Sequence, residues 1–153
     1  MTTLLDGPRT STPPGAPDTD AVTLLPGRAA LLDVLALRRP VAGSAVSGLV
    51  VLGLVRDTAP LGAGTLVAVS DALAGVLLEG EWLARCGPAE FAVVTDDVPE
   101  DAATRLLGAL EVPAAAGVSP GVPGRDAVEV LRLAALGLAI ARVGAPGRAV
   151  RYP

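Results

Sequence analysis

Glu81-Trp82-Leu83-Ala84-Arg85-Cys86-Gly87-Pro88-Ala89-Glu90-Phe91-Ala92-Val93-Val94-Thr95 reads as strand, tight turn, strand. Leu83 and Arg85 before the break, and Phe91 and Val93 after it, keep the period-2 spacing of strands, and Gly87-Pro88 between them is a turn dipeptide. The tip of such a hairpin is held at fixed positions by ladder hydrogen bonds on both sides. Chemistry mounted there would be well placed. The charged groups available for it are Arg85 and Glu90.

Upstream of the hairpin, residues 46–55 are a near-continuous apolar run, the pattern of a central strand covered on both faces. Before it, residues 29–39 carry Leu31, Leu32, Val34, Leu35 and Leu37 on a broad helical face that ends at Arg38-Arg39-Pro40. Between the run and the hairpin, residues 65–79 predict a helix with Leu66, Val69, Leu73, Val76 and Leu77 on one side. Asp71 on that helix reads as a solvated residue, and Glu81 as an exposed carboxylate at a strand start.

Downstream, Asp96-Asp97-Val98-Pro99-Glu100-Asp101 is an acidic turn and helix start, where carboxylates suit the positive end of the helix dipole. A short helix over 102–110, a strand over 112–119 and a turn over 121–125 follow. The last helix is expected over 126–144, with Leu131, Ala134, Ala135, Leu138 and Ala141 on one face. Its segment 133–141 is apolar all round, so it is either buried on more than one side or covered by a partner. Residues 148–152 read as a final edge strand, and the Pro/Gly-rich residues 1–21 as a disordered tail ahead of one domain over 22–153.

Composition narrows the chemistry. The chain has 153 residues, 51% apolar and 2% aromatic, so one Leu/Val/Ala core is expected. It contains no His, Lys, Asn or Gln, and every basic side chain is Arg. That excludes imidazole ligands, His-dependent triads, Schiff-base lysines and Walker-type lysines. Such an Arg-only, Ala/Gly/Pro/Val-rich chain resembles the product of a high-G+C bacterial genome. The net charge of −4 argues against non-specific binding to nucleic acid or anionic membranes. Cys86 is the one cysteine, so no internal disulfide forms, and a buried structural thiol is expected. No run is long enough to span a bilayer and no signal peptide is evident, which makes the cytoplasm the expected location.

The hairpin resembles the signature of GGDEF domains, the diguanylate cyclase family, in which an arginine and one spacer precede Gly-Gly-Asp/Glu-Glu-Phe. Arg85, Gly87, Glu90 and Phe91 keep that frame, while Pro88 replaces the second glycine and Ala89 the first acid. The order of elements over roughly 24–152 follows the same family. Leu25, Pro26 and Arg28 match its Leu-Pro-Asn-Arg entry, with Gly27 for the Asn, and Gly117-Val118 match its late strand. The resemblance implies an α/β, nucleotide-cyclase-like and ferredoxin-related fold: a mostly antiparallel five-stranded sheet flanked by helices. The pattern helix, strand, helix, strand, strand, helix, strand, helix, strand agrees with it.

The resemblance also implies where catalysis should sit, and there the chain departs. The strand carboxylate that holds metal falls on Gly53 or Val55, and the hairpin carboxylate on Ala89. The acid that reads guanine falls on Ala63, and the loop after Arg56 is shortened. The arginine of the cyclic di-GMP inhibitory site falls on Leu78, leaving only Glu81. The phosphate-holding end of the last helix corresponds to Arg142 and, slightly out of step, Arg148; these either bind phosphate or serve as a C-terminal cap and a surface arginine.

Two-metal phosphoryl chemistry needs carboxylates around divalent cations, and Glu90 alone cannot supply them. An active enzyme would require Asp57, Glu90 and Asp96 to regroup; otherwise Glu90 should pair with a sheet arginine such as Arg85. No metal site and no cofactor are expected. Two readings remain: a catalytically inactive, regulatory or scaffolding GGDEF-like module that binds a protein partner or itself through its apolar helix surface, and a nucleotide or cyclic di-GMP sensor with a remodelled pocket using Arg56, Arg142 or Arg148. Neither nucleic acid nor a membrane is an expected partner.

Overall fold

The structure, a computed structural model, describes residues 19–38, 47–55 and 62–153. Along the chain they form α1 (Arg28–Leu37), β1 (Gly48–Leu54), α2 (Ala63–Ala74), β2 (Trp82–Gly87), β3 (Glu90–Thr95), α3 (Pro99–Gly108), β4 (Ala114–Ser119), α4 (Ala127–Ala141) and β5 (Ala149–Arg151). The expectations for residues 1–18, for Arg39-Pro40, for Val46 and for the loop holding Arg56 and Asp57 fall outside the described residues.

The apolar run becomes β1, and every residue of it is buried. It lies at the centre of a five-stranded sheet of order β2-β3-β1-β4-β5. β1 pairs antiparallel with β3 and β4, β2 pairs antiparallel with β3, and only the short edge strand β5 runs parallel to its neighbour. The sheet is therefore mostly antiparallel and mixed at one edge. Alternation along β1 divides the core. Val50, Leu52 and Leu54 face the side covered by α2 and α3 with Phe91, Leu73 and Leu106. Leu49 and Val51 face α1 and α4 with Leu31, Leu131 and Leu138.

Helix limits differ from the pattern-based expectation for local reasons. α2 stops at Ala74, with Gly75 as its C-cap, so Val76 and Leu77 pack against the core from outside the helix. α3 begins at Pro99, which suits the first helical position, with Glu100 and Asp101 in the first turn. α4 starts as expected at its N-cap Asp126, whose carboxylate accepts from Glu129 N at 2.9 Å. It ends at Ala141, short of Gly144. Ala135, expected on the packed face, points outward; the buried side of α4 is Val130, Leu131, Leu133, Ala134, Gly137, Leu138 and Ala141.

α4 lies unusually close to the sheet. A Cβ on Gly117 of β4 would collide with Ala134 O and Leu138 N, and a Cβ on Gly137 would collide with Val150 O and stand 3.3 Å from Gly117 Cα. Two glycines, one on each element, permit that approach. It carries the end of α4 to the same edge of the molecule as the end of β1 and the hairpin tip.

Candidate functional site

The hairpin forms as read, with Pro88 and Ala89 at its turn. The ladder pairs Arg85 with Phe91 and Gly87 with Glu90, so Cys86 is an extra residue bulged out of β2. Ala89 O accepts from Leu54 N at 3.0 Å, which fastens the tip to the end of β1. Phe91 is fully buried, and Ala89 is buried on the same α2/α3 side of the sheet. Pro88 is exposed.

Arg85 braces the turn. Its guanidinium donates to Gly87 O at 3.2 Å and to Pro88 O at 2.6 Å. The third partner is Asp20, reached from Arg85 Nη1 at 2.8 Å. Asp20 also accepts from the Thr23 backbone and hydroxyl, both at 2.7 Å. Burial pushes the Asp20 carboxyl up, but the Thr23 hydroxyl, the Thr23 backbone and Arg85 outweigh it and bring it down to about 2. Thr19 bridges to Pro26, and Pro26 O accepts from Arg85 N at 2.9 Å. Residues 19–20, assigned to the tail on composition, are thus held beside β2.

Glu90 does not pair with Arg85. Its Oε2 accepts from Arg142 Nη1 at 3.0 Å. Arg142 is the C-cap residue of α4, and its Nη2 reaches Leu54 O at 3.5 Å. Glu90 and Arg142, with Leu54, Val55, Pro88 and Ala89, line a cavity of about 410 Å³. Glu90 is the one carboxylate among those lining residues. Asp96 follows the far end of β3, roughly 20 Å along the strand from Glu90, and accepts from Ser47 Oγ at 2.7 Å. Glu90 and Asp96 therefore do not regroup, and Asp57 lies outside the described residues.

Arg148 is exposed and folds back over Gly144, where a Cβ would collide with Arg148 Nη1. It lines no part of the Glu90 cavity and makes no ion pair among the described residues. Of the two arginines singled out as phosphate-binding candidates, only Arg142 reaches the mouth.

Two further expectations need correction. Glu81 is not exposed: its side chain is 2% accessible and its carboxylate accepts from Arg105 Nη2 at 2.6 Å, Thr95 Oγ1 at 2.7 Å and Leu78 N at 2.8 Å. Burial raises its carboxyl, but Arg105, the Leu78 N–H and Thr95 outweigh that and hold it below the usual range. Cys86, expected to be buried, is half-buried at the bulge and packs against the α1/α4 side of the core, and burial, with Glu90 adding to it, pushes the thiol up to about 12.

The chain superposes on solved GGDEF domains. The isolated GGDEF domain of TpbB (YfiN) from Pseudomonas aeruginosa matches with a TM-score of 0.75 and 21% identity, over 88% of this chain and 94% of that one. This is a GGDEF-domain fold. The GGDEF domain of DgcB from Caulobacter crescentus, solved in complex with c-di-GMP, matches with a TM-score of 0.74 and 22% identity over 87% of this chain and 94% of that one. The diguanylate cyclase SiaD from Pseudomonas aeruginosa, solved in complex with its activator SiaC, matches with a TM-score of 0.75 and 23% identity, over 86% of this chain and 60% of that one. No protein-family model matches the sequence, and a search of curated proteins finds no match.

Val55 and Ala89 in the lining of the cavity, and Gly53 beside Leu54, bring no acid to its mouth. No helix among the described residues is long and apolar enough to cross a membrane.

Proposed function

We propose that this GGDEF-like domain is catalytically inactive and acts as a regulatory or scaffolding module that binds a protein partner or a second copy in bacterial cyclic di-GMP signalling. One observation carries it: the single carboxylate lining the mouth among the described residues, Glu90, is tied to Arg142. Metal ions held by carboxylates usually supply most of the charge stabilisation that such chemistry needs, and one neutralised carboxylate does not hold them. The outward stripe of α4 supports the binding role. Val128 and Ile140 are exposed on it, Ala135 and Ala139 lie between them, and Val143 just beyond the helix is 88% exposed.

Incubating the purified chain with GTP and Mg²⁺ or Mn²⁺, with the products resolved chromatographically, tests inactivity. No cyclic dinucleotide is expected, and any sustained turnover ends this reading. Light scattering and pull-down with wild type and with an Ile140→Glu/Val143→Glu variant test the interface. Loss of self-association or of a captured partner in the variant supports it, and a monomer with no partner in either protein removes it.

A nucleotide sensor is the second reading, favoured by the size of the mouth and by the guanidinium of Arg142 in its lining. Under it, GTP or a cyclic dinucleotide at millimolar concentration raises the melting temperature, since ligand that binds only the folded state stabilises it. An unmoved melting temperature discards it.

A further inference from the structure

Glu90 on β3 lies directly opposite Gly53 on β1. Side chains at opposed antiparallel positions project to the same face, with Cβ atoms about 4.5–5.5 Å apart. One member of this pair is a carboxylate and the other has no side chain. The space is filled from α4 instead: a Cβ on Gly53 would stand 2.5 Å from Nη2, 2.7 Å from Cζ and 2.8 Å from Nε of Arg142. Gly87 gives the same service to the acid, since a Cβ there would collide with Glu90 Oε1. Two glycines therefore clear the room in which Arg142 Nη1 meets Glu90 Oε2 at 3.0 Å.

The GGDEF fold implies divalent cations at this mouth, and the residues present do not fit them. A hard cation takes several oxygen ligands, carboxylates foremost. Among the described residues lining the mouth it would find one carboxylate, Glu90, and beside it a fixed positive charge lying on the Gly53 backbone. Arginine stays charged at any accessible pH, so the repulsion cannot be titrated away.

We infer that Arg142 is a built-in cation that occupies the place of an exchangeable one: it neutralises Glu90, fastens the hairpin to α4 and excludes Mg²⁺ and Mn²⁺ from the mouth. This is more than the absence of turnover, because an inactive domain can still hold a metal. The two statements fail separately, one by a cation-binding measurement and the other by a product assay.

The test is a Mn²⁺ titration of the full chain read by electron paramagnetic resonance, with melting temperatures measured in MnCl₂ and in EDTA. Wild type should bind no Mn²⁺ at sub-millimolar concentration and melt at one temperature in both. A Gly53→Asp/Arg142→Ala variant sets a second carboxylate opposite Glu90 and removes the guanidinium. It should bind one Mn²⁺, and its melting temperature should rise by about 5 °C at saturating Mn²⁺. If that variant does not fold, Gly53→Asp/Arg142→Gln, which keeps most of the side-chain volume, is read in its place. Stoichiometric Mn²⁺ on wild type overturns the inference. So does a folded double variant that binds none.

Discussion

Arg85 Nη1 donates to Asp20 Oδ1 at 2.8 Å across 65 residues of sequence, and the same guanidinium holds the carbonyls of Gly87 and Pro88 at the hairpin turn. The chain entering α1 is thereby clamped to the tip that carries Glu90. Asp20 titrates at about 2 in the fold against 3.8 ordinarily. A lowered carboxyl pKa contributes stability that is complete above the ordinary value and is lost as pH falls through the folded one.

Stability should therefore decline between about pH 4 and pH 2 by an Asp20-dependent amount of about 1 kcal/mol, the figure being reduced for solvent screening at a part-exposed pair. Asp20→Asn should remove that component. Comparing urea unfolding of wild type and variant across this window checks it. Parallel pH profiles would show that the clamp contributes nothing.

Gly117 and Gly137 set the distance between α4 and the sheet. Gly117→Ala places a methyl group against the backbone of Ala134 and Leu138, atoms that cannot swing aside as a side-chain end can. Overpacking of this kind usually costs about 1–3 kcal/mol, and the melting temperature should fall by about 5–10 °C. Gly64→Ala is the control. Nothing lies within 4 Å of a Cβ there, and the position is inside α2. That variant should be unchanged or more stable by about 0.5–1 kcal/mol. Equal losses in the two variants would mean that close helix approach is not what Gly117 provides.

Much of the architecture is legible because its causes are local. The buried run of β1, the Gly-Pro break of the hairpin and the Asp126 cap of α4 are each visible in a few adjacent residues. The partners of the charged groups are not. Glu90 finds Arg142 at a sequence separation of 52, and Glu81 finds Arg105 at a separation of 24. No periodicity encodes either contact. Local spacing alone assigns Glu90 to Arg85 and leaves Glu81 in solvent. One signal is present: a glycine in the interior of a buried strand often marks a close approach by another group. Gly53 is such a glycine, and what approaches it is Arg142.

The Glu81–Arg105 pair is the most enclosed ion pair among the described residues, and it joins the turn before β2 to α3. Besides the carboxylate, Arg105 holds Val76 O at 2.7 Å, so it also secures the chain leaving α2. Arg105→Ala would leave the Glu81 charge buried with only Thr95 and the Leu78 N–H for company. Stranding a charge in this way is expensive, and the loss should reach about 3 kcal/mol. Glu81→Gln keeps the shape but not the charge, and should cost less. Lowering the pH relieves the stranded acid: protonating Glu81 removes the charge that Arg105 no longer balances. The deficit of Arg105→Ala relative to wild type should therefore shrink below about pH 4.5. In the Glu81→Gln background, Arg105→Ala should show no such dependence. Urea unfolding of the four proteins at pH 7 and at acidic pH completes the cycle. A deficit independent of pH in both backgrounds would show that Arg105 contributes packing and the Val76 contact rather than charge.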